Sequence, residues 1–511
     1  MTVNLKSIKY LCLSALICGQ IFLLSCFNSN QSNQNAQTNE QTNFEISTPN
    51  IDLAKPLEIS SKPEDIALSK KVDEIIDKSE FANARWGIFA VSLKDGRVLV
   101  SKDGRKLFNP ASAQKILTSV VALDKLGADF RWKTGVFAQN QIENGTLNGD
   151  LILYGQGAPD LSDEGIEDLA NQLKAKGMLK IKGNIVGDES YFKGDSAGDG
   201  WAWNELQWYY GAEASALSVN LNYVNLDLQN GKPHVSNAVM QTSGEVKPAQ
   251  ETEAIGVKRE LGANKIYVWG EGKTLDVRVA VQNPALWSAT ILKDALQKKG
   301  ISVEGEAKSA DWKAENKFVP ENASELAKVE SKTLGEIVRK MNKDSVNLYA
   351  ELILRTLGKK FGENAPDENP KMQKVRGDDS AGASVVKKWL AENNISSDEV
   401  KIHDGSGLSR LDFVTPEVLG RALVFASQSK FAEVFRNSLP VAGTDGTLRG
   451  RLGNVSGKIA AKTGSITYVN ALSGYARNSD ETIAFVILCN NETRKADSSS
   501  VIDAIAASFI N

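Results

Sequence analysis

Leu68, Val72, Ile75 and Ile76 recur at three- or four-residue intervals across residues 63–79, which predicts an amphipathic first helix. Two strand-length runs follow, residues 86–93 and 97–100, separated by a turn containing Asp95-Gly96, and together they read as a β-hairpin. Next comes Ile116-Leu117-Thr118-Ser119-Val120-Val121-Ala122-Leu123, whose nearly unbroken apolar character predicts a largely buried helix. At the far end, residues 471–477 and 483–489 read as strands, and Val501, Ile502, Ile505, Ala506 and Phe509 mark one face of a last helix. The two ends therefore carry complementary parts of one antiparallel sheet covered by helices, an α/β arrangement of the α+β kind.

Residues 132–331 do not fit that sheet. Short strand-like segments at 151–154, 181–186, 224–228, 266–269 and 277–282 alternate there with turn-rich stretches, which predicts one or two β-rich inserted domains. Two phrases, residues 173–186 and 296–305, each run from a helix through Lys-Gly into a strand and a glycine, a sign of parallel construction.

The N-terminus differs in kind. Lys6 and Lys9 precede an apolar run over residues 10–24, too short for a stable membrane span but suited to an export signal. It ends at Leu23-Leu24-Ser25-Cys26, which resembles a bacterial lipobox whose cysteine becomes the lipidated first residue. Residues 28–43 are mostly Asn, Gln, Ser and Thr, with too little apolar surface to fold, and read as part of a spacer. If Cys12 and Cys18 leave with the signal and Cys26 carries lipid, only Cys489 remains and no disulfide is available. One thiol with His234 and His403 makes no ligand cluster, so neither metal nor cofactor is expected. A chain of 511 residues calls for two or three domains, and a formal charge of −3 without a long basic run argues against nucleic acid.

Candidate chemistry begins at Asn109-Pro110-Ala111-Ser112-Ala113-Gln114-Lys115. Asn109 suits an N-cap and Pro110 a first helical position, which puts Ser112 and Lys115 in the first turn with Cβ atoms roughly 5–6 Å apart. A neutral lysine there can take the serine proton, and the helix N-terminus favours both loss of the lysine charge and a developing oxyanion. Ser345-Val346-Asn347 and Lys462-Thr463-Gly464-Ser465 follow in the order that serine-lysine acyl enzymes use. Lys133-Thr134-Gly135 precedes the Ser-x-Asn element and follows the nucleophile too closely to form the opposite wall. His403, beside Asp404-Gly405-Ser406, has no part in a lysine-based site and reads as a turn or core residue. Trp201, Trp203, Trp208, Tyr209 and Tyr210 read as a small domain's core rather than a sugar-stacking surface.

With these segments placed, the chain from about residue 63 onward resembles the class C low-molecular-mass penicillin-binding proteins, the D-alanyl-D-alanine carboxypeptidase and endopeptidase family. The resemblance is carried by Asp404-Gly405-Ser406-Gly407-Leu408-Ser409-Arg410, by residues 439–448 and 461–475, and by Gly200-Trp201-Ala202-Trp203, residues 214–220 and residues 282–286 within the insertion. Val346 departs from the polar residue common at that position. The resemblance implies a β-lactamase/transpeptidase-like domain carrying a nested two-domain insertion. On that reading residues 1–26 are a lipoprotein signal and 27–57 a polar tether; 58–132 and 332–511 form the catalytic domain, 133–160 and 245–331 a second domain, and 161–244 a third.

It implies Ser112 as nucleophile, Lys115 as base, and Ser345 with Lys462 as proton relay. Asn347 would bind the substrate amide, and Thr463, Ser465 and Lys462 the terminal carboxylate, with Gly464 allowing close approach. The backbone N–H groups of Ser112 and Ser465 would form the oxyanion hole. The implied substrate is a peptidoglycan stem peptide ending in D-Ala-D-Ala, with β-lactams as covalent inhibitors. A β-lactamase and a lipid-anchored, non-turning-over β-lactam sensor or wall scaffold share the motif set. The large insertion, the lack of a Glu-based deacylation motif and the lack of an effector domain favour the peptidase, exported and lipid-anchored through Cys26.

Overall fold

The computed structural model describes residues 50–235, 240–248, 254–315, 318–362, 377–493 and 498–510. Cys26, the signal and the spacer up to residue 49 lie outside the described residues. The hairpin from the start of the chain and the strands from its end do join. Their five-stranded sheet runs Val98–Lys102, Arg85–Ser92, Thr482–Asn490, Val469–Arg477, Ile459–Ile466, antiparallel throughout. Trp86 faces Cys489 and Lys462 faces Ser473 across it. Strands Val469–Arg477 and Thr482–Asn490 are buried along almost their whole length, and in the second this shows in the sequence as the continuous apolar run over residues 483–489. Helices Pro63–Asp77 and Ser499–Ser508 pack with Val72, Ile76, Ile502 and Ile505 into one core with Ile88, Phe485 and Ile487. Each such fully buried side chain contributes roughly 1.5–3 kcal/mol. Helix Pro416–Gln428 lies against the sheet as well, and the Tyr475 hydroxyl donates to its Leu423 carbonyl at 2.7 Å.

Residues 51–53, placed in the tether on sequence, lie instead against that helix. Arg421 donates to the Leu53 carbonyl at 3.2 Å and Gln428 to the Ile51 carbonyl at 3.1 Å, while Leu53 is buried. Two apolar side chains in a polar stretch were too weak a periodic signal to mark this attachment.

The chain leaves the catalytic region at Trp132 and returns at Ser331. These two residues are hydrogen-bonded to each other at 2.9 and 3.0 Å, and the strands beyond them, Lys133–Ala138 and Ser324–Glu330, pair antiparallel. They belong to a five-stranded sheet ordered Ala307–Ala310, Ile185–Asp188, Leu151–Gly155, Lys133–Ala138, Ser324–Glu330, flanked by helices Asp163–Ala175 and Pro284–Lys298. The two similar phrases sit side by side: Ser302–Val303 pairs parallel with Lys180–Ile181, and Ala307–Ala310 parallel with Ile185–Asp188. Two three-stranded sheets form a separate inner set. One is Lys232–Val235, Tyr223–Gln229, Asp276–Ala280; the other is Gln241–Lys247, Lys265–Glu271, Ala254–Arg259.

The inner boundaries differ from the sequence reading, which placed the third domain at 161–244. A border at 244/245 falls inside the strand Gln241–Lys247, and the ladders tie 254–280 to the inner sheets and 185–188 to the outer one, against which the helix Asp163–Ala175 packs. Gly244 sits within that strand at φ 103 and imitates a turn in the sequence.

Candidate active site

Ser112 lies in a 3₁₀ turn, Ala111–Gln114, that runs straight into the α-helix Lys115–Leu126. Asn109 does not cap that helix. Its Oδ1 accepts the Ala111 N–H at 3.0 Å, its Nδ2 donates to the Ser409 and Asp412 carbonyls at 3.1 Å each, and its backbone pairs with the Asn490 amide at 2.8 and 3.0 Å. Asn109 thus ties the turn to both the sheet and the 404–412 loop. Ala111 is left at φ 45, a left-handed conformation that costs a non-glycine residue about 1–3 kcal/mol and that this clamp sustains.

Lys115 is fully buried. Its amine lies 2.9 Å from Ser112 Oγ, 2.7 Å from Asn347 Oδ1 and 2.7 Å from the Ser406 carbonyl. The Asn347 oxygen and the Ser406 carbonyl can only accept, so they take two amine hydrogens and leave the nitrogen lone pair of a neutral lysine facing the serine hydroxyl. The asparagine's orientation is fixed independently, because its Nδ2 donates to the Tyr210 carbonyl at 2.9 Å. Burial drives the Lys115 amine down to about 7, against the pull of Asp404 and Asp412, which hold its proton on. Sequence reasoning credited the helix terminus; here desolvation leads, and the opposing carboxylates come from a loop whose role sequence reasoning did not see.

The opposite wall comes from two elements. Ser345, at φ 56, sits between helices Leu334–Lys343 and Asn347–Phe361, and Asn347 is the first residue of the second. Lys462, on the edge strand Ile459–Ile466, is fully buried and donates to Ser345 Oγ at 3.0 Å and to the Thr463 carbonyl at 2.7 Å. Its amine is pushed well below the usual lysine range by burial first and the charge of Lys115 second. Titration in this site therefore belongs to the lysine pair. Gly464 lies so close to the nucleophile turn that a Cβ there would fall 3.0 Å from Ser112 N and 3.1 Å from Ala113 N. Beyond it the Thr463 hydroxyl meets that of Thr447 at 2.7 Å, and Ser465 is exposed at the open end.

The structure therefore brings Ser112, Lys115 and Asn347 into one hydrogen-bonded set, places Ser345 with Lys462 in another, and presses Gly464 against the first. Lys133-Thr134-Gly135 lies on the first strand of the insertion, paired with Ser324–Glu330. His403 meets Asp199 of the insertion at 3.0 Å rather than the site. The aromatic group divides: Trp201 is buried and bonded to Asp404, Trp208 packs on the insertion's core, and Trp203 and Tyr209 are exposed. Sequence reasoning missed the Ser406 carbonyl, the Tyr210 carbonyl and Thr447. Backbone carbonyls leave no side-chain signature; the small residues of Asp404-Gly405-Ser406-Gly407 were the available hint of a close-packed loop.

A serine paired with a buried, proton-poor lysine, and a second serine paired with a second buried lysine on an edge strand, define the class of serine-lysine acyl-transfer enzymes. The sequence matches the D-Ala-D-Ala carboxypeptidase 3 (S13) family over residues 68–509, and the chain belongs to that family. It is a low-molecular-mass class C penicillin-binding protein and a serine carboxypeptidase. It is 28% identical over 424 residues to D-alanyl-D-alanine carboxypeptidase DacB of Haemophilus influenzae, covering 79% of this chain and 85% of that protein. It is 29% identical over 471 residues to the D-alanyl-D-alanine carboxypeptidase of Actinomadura sp. (strain R39), covering 86% and 84%. The crystal structure of penicillin binding protein 4 (dacB) from Haemophilus influenzae matches at a TM-score of 0.73 and 27% identity, over 86% of this chain and 98% of that one. A complex of the same protein with a β-lactam matches at 0.68.

Proposed function

We propose that Ser112 attacks the carbonyl of the penultimate D-alanine of a peptidoglycan stem peptide while the neutral Lys115 amine takes its proton. The observation that carries this is the buried lysine, with its two acceptors satisfied and its third contact on the serine hydroxyl at 2.9 Å. The C–N bond breaks as the tetrahedral intermediate collapses, and the leaving D-alanine amine needs a proton. Ser345, hydrogen-bonded to Lys462, delivers its hydroxyl proton and is restored by the proton that Lys115 took from Ser112, which leaves the lysine neutral again. Water then attacks the Ser112 ester, and the shortened peptide leaves with the hydroxyl restored. Asn347 stands within reach of the substrate amide as well as Lys115. The proximity of Gly464 to Ser112 N supports an oxyanion hole built from the N–H groups of Ser112 and Ser465. Thr463 and Ser465, at the open end, suit the terminal carboxylate. A β-lactam presents its ring carbonyl to the same serine and leaves a slowly hydrolysed ester.

A carboxypeptidase of peptidoglycan works outside the cytoplasm, and no helix among the described residues is long and apolar enough to cross a membrane. We further propose that Cys26 carries lipid and anchors the enzyme, on the support of the apolar run, the small residue before the cysteine and the polar spacer. The functional test is D-alanine release from a stem-peptide analogue. Steady release beyond one equivalent supports the peptidase; release that stops at one equivalent, or faster turnover of penicillin than of peptide, overturns it in favour of a sensor or a β-lactamase.

A further inference from the structure

The insertion meets the catalytic loop at one chemically specific point. Asp404 is fully buried, and donors converge on it. Its Oδ1 accepts the N–H groups of Ser406 at 3.0 Å and Gly407 at 2.6 Å. Its Oδ2 accepts those of Leu408 and Ser409 at 3.1 Å each and the Ser406 hydroxyl at 2.9 Å. The remaining donor comes from far away in sequence: the indole N–H of Trp201, at 2.7 Å. Neighbouring contacts seat the same segment. Ser409 Oγ donates to the Asp199 carbonyl at 2.7 Å, and the Arg410 N–H to the Gly200 carbonyl at 3.2 Å.

The loop wound around Asp404 is the one that grips the nucleophile's helix. Its Gly405 carbonyl accepts from Thr118 Oγ1 at 2.6 Å and its Ser406 carbonyl from Lys115 at 2.7 Å. At Gly407, φ +80, a Cβ would fall 1.8 Å from the Ala111 oxygen, so the loop also bears directly on the residue before Ser112. Any displacement of the Asp404 carboxylate is therefore passed to the base and to the strained turn carrying the nucleophile.

We propose that Trp201 is a positioning residue for Lys115: by holding the Asp404 carboxylate it fixes the Ser406 carbonyl against the lysine amine, so that seating of the insertion governs acylation of Ser112. This rests on the reading of Lys115 as the base. The groups facing that amine are Ser112 on its own turn, Asn347 from the helix Asn347–Phe361, Lys462 from the edge strand, and the Ser406 carbonyl with Asp404 and Asp412 from the loop. Asp404 favours the charged amine. The indole dipole, positive end toward the carboxylate, offsets part of that field, and its removal lets Lys115 keep its proton to higher pH.

The test follows acylation by a fluorescent penicillin, as a function of pH, for the full-length protein and for Trp201→Phe, which keeps the ring and removes only the donor. The midpoint, near 7 in the unmodified protein, is expected to rise by about half to one unit in the variant, with roughly twofold to fivefold slower acylation at pH 7 and roughly threefold to tenfold slower acylation well below the midpoint. Rates should converge at alkaline pH, and non-covalent affinity for the penicillin should hold. His403→Ala, which cuts the side-chain contact with Asp199 and leaves the indole hydrogen bond to Asp404 intact, should leave the midpoint in place. An unmoved or lowered midpoint in Trp201→Phe overturns the proposal, whatever happens to the melting temperature. So does an equal shift in His403→Ala. Failure of the underlying reading looks different: Lys115→Ala would then label normally.

Discussion

Asn347→Asp tests the electrostatics of the site with almost no change of shape. The substitution puts a carboxylate where the amide oxygen stands, 2.7 Å from the Lys115 amine. At an effective dielectric of ~20, unit charges at that separation attract by about 6 kcal/mol. At about 1.4 kcal/mol per pH unit this caps the shift near four units. The new carboxylate is itself desolvated and turns an oxygen toward the Tyr210 carbonyl where the amide had donated at 2.9 Å; both consume part of the gain, so we expect a rise of roughly two to three units. Lys115 begins near 7, because burial outweighs Asp404 and Asp412. In the variant it stays charged at neutral pH and cannot take the serine proton. Acylation at pH 7 should fall about 50- to 500-fold and recover as the pH approaches the ordinary lysine range. Stopped-flow acylation across pH gives both quantities, with Asn347→Ala as the control that removes the contact without adding charge. That control should lose rate with no upward shift. A midpoint that stays put in Asn347→Asp, while the protein remains folded, would refute the assignment of the titrating base to Lys115.

The remaining expectations are simpler. Asp412 is fully buried, and burial first, then the charge of and hydrogen bond to the adjacent Asp404, raises its carboxyl well above the usual range. A group with a raised native value stabilises fully below its unfolded value, about 4, and loses that contribution as pH rises through the native one. Asp412→Asn copies the protonated form, so its melting temperature should gain on the unmodified protein as pH rises above about 4; a constant difference across pH would show that Asp412 does not titrate in this way. For the N-terminus, mass spectrometry of protein isolated from membranes should find a lipid-modified Cys26 as the first residue, and any unmodified residue at that end would remove the anchor.

How much of this was legible in the sequence depended on whether the determinant was a side chain at short range. The hairpin at Asp95-Gly96, the buried helix after Ser112 and the final strands carry their periodicity locally, and the sheet they form follows from it. Ser112 and Lys115 are three residues apart, so local geometry was enough to pair them. Lys462 and Ser345 meet across the fold, and no spacing rule reaches 117 residues; only the order of the motifs connected them. What stayed invisible was backbone. The Ser406 carbonyl that orients Lys115 would exist with any residue at that position, and the strain at Ala111 is imposed by Asn109 through the sheet and the loop. Trp201 read as core and is buried as core, yet its N–H ends on a carboxylate that sequence reasoning had not connected to the site. The inner domain border came from the family resemblance rather than from local periodicity, and it falls inside the strand Gln241–Lys247.

The central claim is that Lys115 activates Ser112 for covalent attack. The most direct test is the time course of penicillin addition to the intact protein, read by mass and located by peptide mapping, for the unmodified chain and for Lys115→Ala. One adduct is expected on Ser112 in the unmodified protein, forming faster as pH rises through about 7, and no adduct on the same timescale in folded Lys115→Ala. Normal labelling of Lys115→Ala, or an adduct on any other residue, would contradict it.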